Sequence, residues 1–299
     1  MENFYLIDKE IWISSFDIIR NLRKKIQIKK MWHTWTLDPL ATWLVLVATW
    51  NYTKLIPFLE KDKKTYLTTI SLDWTSSSFD LAEKIEFLSE EKQNYFKEKL
   101  TKKYLENILK ENFLWKIKQT PPKYSAIKIN WKRAYNLARA WKEFEIKSKQ
   151  IEIFYIKILN YKYPKLELEL EVSAGTYIRS IARDLWKILW TWWYLTQLRR
   201  IKIANLSQKK AQKLSQENII NLDVKEIFDK KYFLEKDENW NFNNWEITKQ
   251  DLERLNNWLT RNRKFNLEIW KNYFLFNWEK ITNIVKYDWE KLIPIKNIN

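Results

Sequence analysis

The sequence predicts an α+β protein, and three observations carry that reading. In residues 166–172, Leu166, Leu168, Leu170 and Val172 alternate with Glu167, Glu169 and Glu171, the period-two pattern of a strand with one buried face. In residues 16–26, FDIIRNLRKKI, Ile18, Ile19 and Leu22 share one face of a basic amphipathic helix. Residues 245–299 are short β-like runs divided by Asn-Trp and Asp-Trp pairs, the pattern of a small β-barrel or hairpin pack once those pairs are read as turns. A chain of 299 residues holds one large domain and a small one. The expected division is 1–235 and 240–299, around the polar stretch FLEKDENWNFNNWEI.

Taken in order, residues 4–13 read as a strand and turn. Ser14 and Asp17 are spaced as a capping box and start the basic helix. Lys29 and Lys30 lead into residues 32–50, WHTWTLDPLATWLVLVATW. Here a polar loop bearing His33, Asp38 and Pro39 feeds the apolar run Leu44-Val45-Leu46-Val47-Ala48, a helix or a strand by its pattern. Asp38 is placed for chemistry, because scaffold-anchored loops carry most active sites. The competing reading is an N-cap to a helix starting at Pro39. Lys63-Lys64-Thr65-Tyr66 precedes a β-rich run, LTTISL. Residues 80–112 have helical spacing with dense Lys/Glu pairs, as on a solvated helix. Phe113 to Lys118 reads as a strand, and Pro121-Pro122 breaks the chain. A strand, an Asn130-Trp131 turn and a short helix from Arg133 follow. The alternating strand then delivers Ser173-Ala174-Gly175-Thr176-Tyr177-Ile178-Arg179-Ser180 and the helix IARDLWKIL. Read alone, this is a strand–turn–helix with Arg179 in a surface ion pair.

The formal net charge is +17, from 54 Lys+Arg against 37 Asp+Glu. That excess suits a polyanion, nucleic acid foremost. No apolar run approaches the roughly 20 residues of a spanning helix, and MENFYLIDKE lacks the apolar core of a secretory signal. With no cysteine and one histidine, disulfides, thiolate metal sites and cysteine catalysis are excluded, and a histidine-rich metal site or a Ser-His-Asp triad is disfavoured. Acid–base work falls to Asp, Glu, Tyr and Lys.

One ratio is anomalous: 1 Gly and 19 Trp. Glycine is normally about 7% of a protein, and here the two residues together make up that share. Tryptophan also stands where turns want glycine, in Asp73-Trp74, Asn130-Trp131, Asn277-Trp278 and Asp288-Trp289. The expectation is that most or all of these tryptophans are glycine in the living protein, through a codon such as a reassigned UGA.

HTWTLDPLATW resembles the GHTGTLDPLATG signature of TruB-type tRNA pseudouridine synthases, with Trp at the family's glycines. DKEIWISSFDIIRNLRK resembles that family's opening DKPxGxTSxxxVxxLRK, with Glu10 at its proline. Lys64-Thr65-Tyr66 resembles its K-x-Y motif, residues 121–139 its PPxYSAxKxxGxRAYxxAR segment, residues 175–186 its GTYIRSLARDLG motif, and Leu198-Arg199-Arg200 its LRR segment. Residues 74–80 match a Ser/Thr turn more weakly. The likeness is strong over residues 4 to about 206. Over the tail it rests on turn spacing and a final dGxxLxPxK pattern, similar to a PUA-type module.

The resemblance implies a pseudouridine-synthase fold, with a mixed, largely antiparallel sheet flanked by helices and a PUA-like β-rich tail. It implies isomerisation of uridine at position 55 in the T arm of tRNA, by a cytoplasmic monomer needing no metal or cofactor. By motif, Asp38 is the nucleophile, attacking the sugar C1′ or the ring C6. Tyr66 stacks on the flipped base, and Tyr177 takes or positions the C5 proton. Arg179 pairs with Asp38 and keeps it ionised. His33 fills space the base vacates; Lys64 and Leu198 line the pocket. Lys9, Lys24, Lys25, Lys29, Lys30, Arg199 and Arg200 are expected to contact RNA, chiefly its phosphates. Two rivals stand beside this reading. One is a non-catalytic RNA-binding or RNA-folding protein on the same scaffold. The other is an Asp-dependent hydrolase, which wants a second carboxylate that the signature lacks.

Overall fold

A computed structural model describes residues 2–34, 41–59, 63–76, 85–140, 143–191 and 193–228, and in the tail 233–235, 241–242, 245–246, 255, 261–262, 272–277, 280–287 and 291–298. Eight strands carry the main sheet: β1 (Phe4–Lys9), β2 (Met31–His33), β3 (Thr42–Thr49), β4 (Lys64–Ser71), β5 (Trp115–Gln119), β6 (Lys149–Lys162), β7 (Lys165–Val172) and β8 (Tyr194–Ile203). Their order is β1-β3-β8-β4-β7-β6-β5, with β2 beside β3 and the short Leu206–Ser207 strand beside β8. Only β8 and β3 run parallel, with Arg199 opposite Thr42 and Arg200 opposite Trp43. The sheet is thus mixed and largely antiparallel.

The first helix, α1 (Ser15–Ile26), begins with the expected capping box. The Asp17 amide donates to Ser14 Oγ at 3.1 Å, and the Ser14 amide donates to Asp17 Oδ2 at 3.0 Å. Ile18, Ile19 and Leu22 are buried beneath it. The helical stretch at 80–112 resolves into α2 (Glu90–Lys99) and α3 (Lys102–Phe113), with Thr101 capping the second. Its first part departs from expectation: Ile85–Phe87 is a strand paired with Trp74–Ser76. The alternating segment is β7, with its four apolar residues at 0% exposure. It feeds α4 (Ile178–Leu189).

The run after the signature loop is a strand, β3, and not a helix. It is apolar on both sides because both faces are covered. Val45 and Val47 join Ile7, Ile18 and Leu22 in one core. Leu44, Leu46 and Ala48 join Phe4, Leu6 and the tail residues Phe274, Ile281 and Ile284 in another. The tail sheet contains β9 (Phe233–Glu235), β10 (Arg261–Asn262), β11 (Asn272–Asn277), β12 (Lys280–Tyr287) and β13 (Lys291–Asn297), in the order β9-β11-β12-β13-β10. The Phe274 ring lies 4.3 Å from that of Phe228 and 6.4 Å from that of Phe58. Burial in this seam pushes the Tyr52 phenol up to about 12. β9, at the end of the segment expected to close the first domain, pairs in parallel with β11 of the tail sheet.

Among the described residues, eight other than glycine have positive φ, and five of them are tryptophan: Trp12, Trp50, Trp115, Trp131 and Trp190. Trp131 follows Asn130, also left-handed, in the turn expected at that pair. No helix among the described residues is long and apolar enough to cross a membrane.

The Ser14 hydroxyl and amide hold the Asp17 carboxyl below its ordinary value. Its contribution is therefore present at neutral pH and is lost as the pH falls through that lowered value. Ser14→Ala is expected to lower the unfolding free energy by about 1 kcal/mol. The check is a lower denaturant midpoint with an unchanged slope.

Candidate active site

The site grows from three neighbouring strands and one turn. β4 lies between β7 and β8, so Tyr66 stands opposite Leu170 on one side and Arg200 on the other. Arg200 in turn stands opposite Trp43 on β3. Adjacent strands lie about 4.8 Å apart, so Tyr66 sits roughly 10 Å, two strand spacings, from the strand that leaves the signature loop. The loop's near end is fixed: Thr34 is fully buried, and both its amide (2.9 Å) and its hydroxyl (3.2 Å) donate to the Leu46 carbonyl. Asp38 belongs to 35–40, outside the described residues, as does any cap it would form with Pro39.

Tyr66 is 6% exposed and lies in the same buried cluster as Leu198, on β8, and Ile178, the first residue of α4. Lys64, 3% exposed, opens β4 between Val172 and Ile203. His33 is buried at the end of β2, its ring stacked on Trp32 at 5.6 Å.

The turn before α4 is tied down by groups the sequence did not single out. Buried Gln119 clamps Tyr177 from both sides: the Tyr177 amide donates to Gln119 Oε1 at 2.8 Å, and Gln119 Nε2 donates to the Tyr177 carbonyl at 3.1 Å. Lys149 holds its ammonium 5.0 Å from the Tyr177 ring centre, and burial pushes its pKa down. The same ammonium would stand 2.8 Å from a Cβ at residue 175, where φ is +79°. The left-handed backbone favours glycine there, whereas the lysine tip is flexible enough to give way. Gln119 and Lys149 pair across β5 and β6. Their only sequence signal is proximity to Pro121-Pro122 and to the glycine turn, and neither is local.

Arg179 is 6% exposed, and its Nη2 donates to the Tyr124 carbonyl at 3.0 Å. Ser180 Oγ and Arg183 Nη2 both donate to the Thr120 carbonyl at 2.9 Å. The start of α4 is thereby held on residues 120–124. A cavity of about 260 Å³ opens beside it, lined in part by Pro122, Tyr124, Phe144, Ile146, Arg179 and Arg183.

The basic residues divide in two. Lys24, Lys25, Lys29 and Lys30 are exposed on α1 and just beyond it. Lys54 is pushed down by burial and then by its cationic neighbours Lys30 and Lys296, which marks a positive seam between the main sheet and the tail. Three further residues expected at RNA make contacts within the chain. Arg200 is 1% exposed, with Nη2 donating to the Leu44 carbonyl. Lys9 is equally buried, and its ammonium donates to the Glu10 and Ile13 carbonyls at 3.0 and 2.7 Å. The Arg199 guanidinium is committed to Asp8 at 2.8 Å. In each case the head group serves the chain's own acceptors. No group of three His, Cys, Asp or Glu suited to a metal ion occurs among the described residues.

The model of the TruB family pseudouridylate synthase N-terminal domain matches residues 23–178. A tRNA pseudouridine synthase B from Mycoplasma mobile is 39% identical over 229 residues, 75% of this chain and 77% of that protein. One from Mycoplasmopsis pulmonis is 35% identical across 99% of this chain and 95% of its own length. This chain belongs to the TruB family of pseudouridylate synthases. The fold agrees: a chain in the structure of an H/ACA RNP bound to a substrate RNA containing 2′-deoxyuridine superposes with a TM-score of 0.69, covering 99% of this chain and 84% of that one. A chain of a Cbf5-Nop10-Gar1 complex gives the same score over 99% and 85%. At 12% and 15% identity, these two likenesses concern the fold.

For this TruB-family isomerase, Gln119→Leu is expected to remove the side-chain acceptor of the Tyr177 amide, while the Tyr177 carbonyl keeps the Ser180 and Ile181 amides as donors. The cost is about 1–3 kcal/mol of stability, and turnover falls because the start of α4 loosens. Thermal melts and rate measurements on the same preparation check both.

Proposed function

We propose that this chain isomerises uridine to pseudouridine at position 55 in the T arm of tRNA, with Asp38 as the nucleophile. The observation that carries the reading is the convergence of Tyr66, Leu198 and the start of α4 on one buried cluster, beside the strand that leaves the HTWTLDPLATW loop. A uracil within folded RNA is out of reach, so the nucleotide is flipped into this space and stacked on Tyr66. Asp38 attacks C1′ or C6 and the N1–C1′ bond breaks; the base turns, C5 bonds to C1′, N1 takes up a proton, and the bond to Asp38 breaks to return the carboxylate. The C5 proton leaves toward Tyr177, whose backbone Gln119 holds. The buried Arg179 guanidinium, two residues further, keeps Asp38 ionised and aimed. Lys64 and Leu198 wall the pocket, and His33 occupies space the base leaves behind. Every electron pair stays within substrate and side chains, so the reaction uses no cofactor.

The exposed Lys24, Lys25, Lys29 and Lys30, with the Lys30–Lys54–Lys296 seam, hold phosphates in a salt-sensitive and sequence-blind way. The tail is an accessory RNA contact of PUA type. The working form is a monomer in the cytoplasm, where tRNA is processed.

Asp38→Ala tests this. Tritium release from tRNA labelled at C5 of uridine is expected to approach one equivalent per tRNA with the parent chain, and to vanish when the T-arm uridine is replaced. The variant is expected to release none while still binding tRNA. Release undiminished in Asp38→Ala would remove Asp38 as nucleophile. Binding without release by the parent chain would favour a non-catalytic RNA-binding role.

A further inference from the structure

We propose that Arg200 is a positioning residue for catalysis, setting the hydroxyl of Tyr66 through a buried guanidinium. The inference rests on the reading that Tyr66 faces the substrate uracil. Arg200 stands opposite Tyr66 in the β8–β4 ladder and is 1% exposed. A side-chain hydrogen bond joins it to Tyr66, and its Nη2 donates to the Leu44 carbonyl of β3. Burial pushes the guanidinium toward its neutral form, and the Tyr66 contact opposes that. Arginine has donors only, so the Tyr66 oxygen accepts in this contact. The phenol hydrogen is thereby left to point elsewhere. The other end of the fork fixes β3 two residues after Thr42, where the chain comes out of the 35–40 loop. One planar group thus sets the spacing between the signature strand and the tyrosine. A lysine is a point donor and cannot span both acceptors in that geometry.

The test compares Arg200→Lys, Arg200→Met, Tyr66→Phe, Tyr66→Ala and the Tyr66→Phe/Arg200→Lys pair. Single-turnover tritium release is measured with enzyme in excess, alongside tRNA Kd and melting temperature. The expected result is a fall of tenfold or more in the Arg200→Lys rate, a larger fall in Arg200→Met, and Kd within twofold of the parent. In the Tyr66→Phe background, Arg200→Lys should add less than a twofold further loss. An unchanged Arg200→Lys rate, or losses that multiply in the pair, would overturn the positioning role. So would losses that track melting temperature alone. A full rate in Tyr66→Phe would also overturn the positioning role, because the hydroxyl would then be dispensable, while a full rate in Tyr66→Ala would instead overturn the placement of the Tyr66 ring in the site, so the two failures are distinguishable.

A separate observation carries a second inference. From the backbone we infer that the five left-handed tryptophans are glycine in the native protein, and with them most of the 19. A bulky side chain at φ between 49° and 71° is a steric outlier. At Trp12, Trp115, Trp131 and Trp190 the indole is also 60–92% exposed, where it gains no burial to offset the strain. Trp190 forms the left-handed C-cap of α4, its amide donating to the Trp186 carbonyl at 2.8 Å, a position that glycine dominates. Asn130-Trp131 fills a two-residue hairpin turn where Asn-Gly is the preferred pair. Peptide mass spectrometry of the protein isolated from its source cells is expected to give glycine masses at 12, 50, 115, 131 and 190. A recombinant chain carrying glycine at those five positions should melt at a higher temperature than the tryptophan form. Tryptophan masses at those positions would overturn the inference, as would a lower melting temperature for the glycine form.

Discussion

β3 must stay dry on both faces, and much of the molecule is arranged around that requirement. A strand of Leu, Val and Ala has no polar side to turn toward water, so it needs a cover above and below. Helix α1 and β1 provide one cover, through Ile7, Ile18 and Leu22. The tail sheet provides the other, through Phe274, Ile281 and Ile284. The tail is therefore part of the core and not an appendage on a linker. Because β3 is held this firmly, the loop that precedes it has a fixed exit.

Around that exit the site is built by hydrogen bonds that place backbone, not by a cluster of charges. Thr34 fixes the near end of the loop on β3, and Arg200 fixes the far side by reaching the Leu44 carbonyl. Gln119 and residues 120–124 do the same for the start of α4. Such contacts hold reacting groups in place without filling the pocket, which is what a reaction on a flipped base requires. The buried cations are consistent with this division. Lys9, Lys149 and Arg200 work inside the protein, while the lysines at the end of α1 and just beyond it are exposed.

Several elements were legible before any coordinates. The alternation in 166–172 is a strand because period two admits nothing else at that length. The capping box at Ser14 and Asp17 starts a helix because two amides find acceptors at that spacing. The signature, the K-x-Y motif and the glycine turn identified the family through residue types alone. Other features were ambiguous for physical reasons. Leu44–Ala48 is apolar throughout, and a fully buried strand and a buried helix look alike in such a run. Ile85–Phe87 pairs with Trp74–Ser76 across an intervening stretch, so local propensity could not reveal it.

By itself, then, the sequence determined the α+β class, the helix and strand periods, and the family. Only the tertiary structure decided which cations are buried and which are exposed. Arg199 and Arg200 are neighbours in a basic-looking pair, yet strand alternation sends one to Asp8 at the surface and the other into the core beside Tyr66. Gln119 and Lys149 likewise become part of the site because β5 and β6 carry them to a turn nearly sixty residues from Gln119. Nearest-neighbour chemistry is written along the chain. Which face of a strand is inside, and what lies across it, is set by pairing between distant segments.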